Sequence, residues 1–128
     1  MAIRVLVVDD DPDVAVFIRG VLPPEEFVVL GRGREGGSLG AVASAAPDVL
    51  IMDWVLSQGL GWELCRQIRG FAGTRNLSVI MLTGINLISI KVRALNAGAD
   101  DCVTKPFNPR ELAARIRAVL RSRLEPNP

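Results

Sequence analysis

Three carboxylates, a threonine and a lysine stand at the ends of strand-like runs in this chain. Residues 3–8 lead into Asp9 and Asp10, the first two of an acidic triplet that ends at Asp11, the apolar residues 49–52 meet Asp53, residues 78–82 deliver Thr83, and residues 101–104 deliver Lys105. Short apolar runs of this kind read as strands covered on both faces, as in a parallel sheet. A charge does not sit unpaired inside such a strand, so each polar group belongs where its strand ends. In open parallel α/β sheets that carboxyl edge is where ligands bind. Three carboxylates this close repel one another unless a divalent cation and the Lys105 ammonium neutralise them. An oxygen-only cluster without histidine or cysteine selects a hard ion, and Mg²⁺ fits best. A carboxylate can serve as a covalent acceptor. With a hydroxyl from Thr83, a lysine and Mg²⁺ beside it, Asp53 is suited to carry a phosphoryl group, whose transfer needs mainly positioning and charge neutralisation. Singly, each feature has a plainer reading. The acidic triplet could cap a helix dipole, Thr83 could end a strand in a turn, and Lys105 could be a solvated side chain. Their shared edge favours the site.

The elements that must hold these groups follow a simple alternation. Strands are expected at 3–8, 27–30, 49–52, 78–82 and 101–104. The first helix follows Pro12, with Val14, Phe17, Ile18, Val21 and Leu22 at helical spacing, and stops at Pro23 and Pro24. Residues 31–40 hold five glycines and read as a loop, then a weak helix through Leu39, Val42 and Ala46. Residues 54–61 read as a loop, followed by a helix from Trp62 to Ile68. A fourth helix runs from about Leu87 to Ala97 and stops at Gly98. The fifth has Asn108 as N-cap, Pro109 at its first position and Glu111 close behind, with Leu112, Ile116, Val119 and Leu120 as its buried stripe. Five β-α units predict a doubly wound α/β fold, a parallel five-stranded sheet with helices on both faces joined by right-handed crossovers.

Composition narrows the function. The 128 residues suit one domain, expected over residues 1–124, with 125–128 a tail or linker stub. A net charge of +1 gives no bulk electrostatic case for nucleic acid or membrane binding. Arginines on the fifth helix (Arg110, Arg115, Arg117, Arg121, Arg123) read first as a solvated face. The chain has no histidine, which removes His-based acid/base catalysis. The two cysteines, Cys65 and Cys102, lack metal-ligand spacing and point to a reducing compartment. No signal-peptide pattern is visible, and no apolar stretch reaches the about 20 residues of a membrane span, so a cytoplasmic domain is expected.

Taken together, these residues resemble the receiver domain of two-component response regulators, which implies a flavodoxin-like (βα)5 three-layer sandwich with its five parallel strands in the order 2-1-3-4-5. Val7-Val8-Asp9-Asp10-Asp11 resembles the family's acidic pair, Asp53 its phosphorylated aspartate, and Leu82-Thr83-Gly84 its switch site. Ala97-Gly98-Ala99-Asp100-Asp101-Cys102-Val103-Thr104-Lys105-Pro106-Phe107 resembles the fifth-strand signature. The resemblance implies that Asp10 and Asp53 hold Mg²⁺, that Asp9 acts through water, and that the Val55 backbone carbonyl completes the protein ligands. It also implies a cis peptide between Lys105 and Pro106, a phosphohistidine donor on a partner sensor histidine kinase, and no catalysis beyond the domain's own phosphotransfer and slow dephosphorylation.

The wording around residues 97–101 and 105–112 is similar to the OmpR/PhoB subfamily. That similarity implies a phosphorylation-dependent homodimer through the fourth helix, fifth strand and fifth helix, with cross-dimer pairs Lys91–Glu111 and Asp101–Arg115. That subfamily usually regulates transcription through a DNA-binding domain after the receiver, so the chain is expected to be either a stand-alone receiver or one cut at its linker, with no nucleic acid contact by this domain. Cys102 stands where the family usually has an aromatic switch residue, and Ser57 where it commonly has proline. Leu87, Ile88 and Ile90 put apolar residues where the fourth helix commonly begins polar, as core or as a partner surface. These departures support an alternative: a receiver-like interaction module that signals without phosphate. An aspartate-nucleophile hydrolase of the haloacid dehalogenase type is a third reading, but Asp9-Asp10-Asp11-Pro12-Asp13 lacks the Thr or Val that its motif wants.

Overall fold

The computed structural model describes residues 2–56 and 59–124. Ser57 and residues 125–128 lie outside the described residues. Strands β1 (Ile3–Val8), β2 (Phe27–Arg32), β3 (Val49–Asp53), β4 (Ser78–Thr83) and β5 (Asp101–Thr104) pair in parallel in the order β2-β1-β3-β4-β5. Helices α1 (Pro12–Val21), α2 (Leu39–Ala45), α3 (Gly61–Gly70), α4 (Ile88–Asn96) and α5 (Pro109–Leu124) connect or follow them. This is the three-layer, doubly wound arrangement that the alternation predicts.

Residue parity decides what faces where, because successive strand side chains point to opposite faces. Val5, Val7, Val49, Ile51, Ile80, Leu82 and Val103 pack with Ala15 and Ile18 of α1 and Leu112 and Ile116 of α5. Leu6, Val8, Leu50, Met52, Val79, Met81 and Cys102 pack on the other face with Val42 of α2, Leu64 and Ile68 of α3 and Ala94 of α4. Most of these side chains are wholly inaccessible. Truncating one of the large ones to alanine would cost about 2–5 kcal/mol.

Helix starts follow local chemistry. The Asp11 carboxylate accepts from Asp13 N (3.0 Å) ahead of Pro12, the Ser38 hydroxyl accepts from Ala41 N (3.1 Å), and the Asn108 amide oxygen accepts from Arg110 N (2.8 Å). Each satisfies a helix N–H that lacks a backbone partner. Helix α4 has no such cap: Leu87 holds the N-cap position and makes no side-chain bond there. Its other end is firmly held. Gly98 takes φ +113°, a conformation that glycine adopts without strain, and its carbonyl accepts from Arg69 Nε (2.9 Å). Asp100 accepts from Val79 N (2.8 Å), pairs with Arg69 (3.0 Å) and is also bonded by Arg123 of α5.

Several details depart from the sequence reading. Strand β2 runs on through Gly31 and Arg32, which pair with Val7 and Val8, because a ladder beside β1 does not require apolar side chains at an edge. Helix α2 is confined to Leu39–Ala45, with a 3₁₀ turn at Arg34–Gly36 before it. The stretch after Asp53 is not wholly loop: Val55–Leu56 pairs antiparallel with Gly59–Leu60, and α3 starts at Gly61. Phe17 is 48% exposed rather than core. The small side chain of Ala15 takes its place against the sheet, so close to Gly31 that a Cβ there would lie 2.7 Å from the Ala15 Cβ. In α4 the apolar residues divide: Ile90 packs against the core, while Leu87 and Ile88 are 56% and 82% exposed. No helix among the described residues is long and apolar enough to cross a membrane.

Candidate functional site

Parity also brings the polar groups together. Asp9 continues the face of Val5 and Val7, Asp53 that of Val49 and Ile51, and Lys105 that of Val103. All three emerge at the carboxyl edge on the α1/α5 side. The Lys105 Nζ bridges the two carboxylates, 3.0 Å from Asp9 Oδ2 and 3.0 Å from Asp53 Oδ2. The Asp9 side chain is 4% exposed and that of Asp53 22%. Asp9 also accepts from Asp11 N at 2.9 Å, which fixes the turn between β1 and α1. Asp10 lies in the same turn with its side chain toward solvent.

The charges shape one another. Burial pushes the Asp9 carboxyl up; the Asp11 N–H and the Lys105 ammonium pull it back only in part, and the neighbouring Asp53 charge adds to the rise. Burial works against the Lys105 ammonium, yet its hydrogen bonds and attraction to Asp53 and Asp9 outweigh that and hold it above the ordinary lysine value. Two carboxylates thus share one cation, and the buried one is left under-neutralised. An all-oxygen donor set with this charge excess, open at the sheet edge, fits Mg²⁺, which needs one or two carboxylates and keeps several waters. Among the described residues no three Asp, Glu, Cys or His side chains converge into a closed metal cage.

Thr83 lies at the end of β4 and is 1% exposed. It continues the face of Val79 and Met81, toward α4 rather than toward Lys105. Its hydroxyl donates to Ile85 O (3.3 Å) and accepts from Ile85 N (3.0 Å), while its carbonyl accepts from Lys105 N at 2.7 Å. The Lys105–Pro106 peptide is cis, as the resemblance implies. Val55 sits two residues beyond Asp53, opposite Leu60 in the short hairpin.

Of the residues expected at a dimer surface, Lys91, Glu111 and Arg115 line one cleft of ≈ 290 Å³ between α4, β5 and α5, together with Cys102 and Thr104. Within the single chain Arg115 already pairs with Asp101 (2.7 Å) and Glu111 (2.9 Å). Cys102 is buried, and burial pushes its thiol up, so it is a packed, protonated group. Val92 and Leu95 join Ile88 on the exposed face of α4.

Two features escaped the sequence reading. Gly61 is required by close approach: a Cβ there would lie 2.3 Å from the Asp53 carbonyl oxygen, and Gly61 N donates to Trp54 O at 2.7 Å. Beside it, Trp54 and Trp62 stack with ring centroids 6.4 Å apart, and guanidinium groups of Arg93 and Arg66 lie over the Trp62 ring at 4.7 Å each. The available signal was a tryptophan directly following Asp53.

The model of the response regulator receiver domain family matches residues 5–117. The chain belongs to that family. It is 36% identical over 121 residues to the phosphate regulon transcriptional regulatory protein PhoB of Escherichia coli, covering 94% of this chain and 53% of that protein. It is 42% identical over 120 residues to the protein of the same name from Rhizobium meliloti, covering 92% of this chain and 52% of that one. A two-component response regulator from Clostridium difficile superposes with a TM-score of 0.83 at 29% identity, over 96% of this chain and 99% of that one. The chain spans about half the length of the curated relatives it matches.

Proposed function

We propose that the domain takes a phosphoryl group on Asp53 from a phosphohistidine on a partner histidine kinase, with Mg²⁺ as cofactor. The observation that carries this reading is the Lys105 ammonium held 3.0 Å from both Asp9 and Asp53 at the carboxyl edge. The Asp53 carboxylate would form the new O–P bond as the donor's P–N bond breaks. Lys105 would then neutralise one phosphoryl oxygen, and the Thr83 hydroxyl would leave the Ile85 carbonyl to donate to another. Asp10, Asp53 and the Val55 carbonyl would hold the metal, with Asp9 acting through water. When bound, Mg²⁺ supplies further charge neutralisation at the transferring group. No separate substrate is turned over; the chemistry is the domain's own phosphotransfer and slow dephosphorylation.

For output, a homodimer through α4, β5 and α5 is the reading that the cleft and its charges support. Lys91 and Glu111, and Asp101 and Arg115, would pair across two copies, with the Arg115 pairs of the single chain exchanging for those of the dimer. Relatives named as transcriptional regulatory proteins support a role in transcription control, which we place in the cytoplasm and in a separate domain. Intact-mass measurement after incubation with acetyl phosphate and Mg²⁺ should show one added phosphoryl group, absent in Asp53→Asn. Persistence of the addition in that variant, or none in the native protein, would sink the reading.

A phosphate-independent interaction module is favoured by one observation. Cys102, buried in the layer facing α4, has no ring to reorient when Thr83 moves. Partner binding or dimerisation unaffected by Asp53→Asn would support that reading instead.

A further inference from the structure

We infer that Arg93 of α4 is a positioning residue for Asp53, acting through the indole rings of Trp54 and Trp62, and that this cation–π clamp holds α4 in its resting seat. The inference rests on the reading of Asp53 as phosphoacceptor. Trp54 directly follows Asp53, and its backbone joins three elements: its N–H donates to Leu82 O of β4 (2.7 Å), and its carbonyl accepts from Gly61 N at the start of α3 (2.7 Å). Trp54 is 5% exposed, so it cannot shift without moving what it packs against. Trp62 of α3 stacks on it with an interplanar angle of 24°. The Arg93 guanidinium closes a triangle with the two rings, 5.9 Å from the Trp54 centroid and 4.7 Å from that of Trp62.

Arg93 makes no ion pair among the described residues, so these ring faces are the attraction that holds its charge. It reaches them from α4, an element with no side-chain cap at its first turn. A displacement of α4 therefore drags Arg93 off the rings, and a displacement of the chain after Asp53 moves the rings from under Arg93. The resting arrangement also leaves a cost. Trp62 Nε1 is buried without a hydrogen-bond partner, which a shift of the ring could relieve. With Cys102 offering no ring at the α4–β5 contact, the clamp provides a second physical link between strand end and helix.

The test uses beryllofluoride with Mg²⁺ as the phosphoryl surrogate, read by calorimetry and by hydrogen exchange of the α4 amides. In the native protein, binding should change α4 exchange. In Arg93→Leu, beryllofluoride should bind about two- to fivefold more tightly, since the clamp no longer opposes the shift, and α4 exchange should no longer respond. Trp62→Leu should behave likewise, and Arg93→Lys should restore part of the response. A purely structural role would lower the melting temperature while leaving the response of α4 to the ligand intact. Native-like affinity and α4 response in Arg93→Leu and Trp62→Leu would overturn the inference, as would weaker binding with that response preserved. Absence of beryllofluoride binding in the native protein would instead overturn the phosphoacceptor reading itself.

Discussion

Lys105 reaches Asp9 and Asp53 because position 105 continues the strand face that begins with Val103 and is shared by Val5, Val7, Val49 and Ile51. Its charge matters most to Asp9, whose carboxylate has little water to fall back on. Replacing Lys105 with Met would leave two neighbouring carboxylates without their shared cation. The expected cost is about 1–2 kcal/mol of stability at neutral pH, a figure discounted for the partial exposure of Lys105 and Asp53. Urea denaturation with and without Mg²⁺ checks this, and added Mg²⁺ should recover much of the loss. The pair of Asp9 and Asp53 was legible in the sequence because buried strands tolerate charge only at their ends. The direction in which Thr83 faces was not, since the four apolar residues Val79–Leu82 in a row do not state which of two faces each one takes.

Among the elements, the start of α3 lies hard against the end of β3. The space beside the Asp53 carbonyl admits only a hydrogen at position 61. Gly61→Ala should therefore cost about 2–3 kcal/mol by overpacking and should reduce phosphoryl uptake, because the atoms that must yield belong to the acceptor residue. Thermal melts paired with acetyl phosphate labelling would show both. The sequence marked this stretch only as glycine-rich and did not distinguish a glycine that loosens a loop from one that lets two backbones touch. At the opposite end, Glu26 before β2 accepts two hydrogen bonds from Arg117 of α5, at 2.8 and 2.7 Å. These bonds, and the Arg117 charge, hold the Glu26 carboxyl below its ordinary value. Since the folded value is depressed, the stabilisation exists above the ordinary glutamate range and is lost as pH falls through the folded value. Native protein should melt above Glu26→Gln at neutral pH, and the gap should close on acidification.

On the scale of the whole molecule, the alternation of strands and helices was readable from periodicity, because burial on both sheet faces leaves uninterrupted apolar runs, while the strand order is what the family resemblance adds. The face of α1 was not, since Ala15 rather than Phe17 packs against β2 for reasons of space that spacing does not express. Nor does a list of charges tell whether Asp101, Glu111 and Arg115 pair within a chain or between chains. Here they pair within it. The proposed dimer must therefore exchange one set of bonds for another, with little net gain from the charges themselves. Light scattering should show a monomer becoming a dimer on adding beryllofluoride and Mg²⁺. Arg115→Ala should weaken the dimer modestly, by about 1 kcal/mol or less. An unchanged mass would argue against dimerisation as the output.

The two ends of α4 are held very differently, by Gly98, Arg69 and the Asp100 cluster at one and by an uncapped Leu87 at the other. Any tilt of the helix is thus a rotation about its C-terminal end. Over 9 residues, ~13 Å of axis, the helix is a lever arm whose fulcrum lies at the sheet edge remote from Asp53. The sweep grows along the arm and is greatest at Ile88, the most exposed large apolar side chain among the described residues. A small angular change at the pivot is delivered to solvent as the travel of a greasy tip.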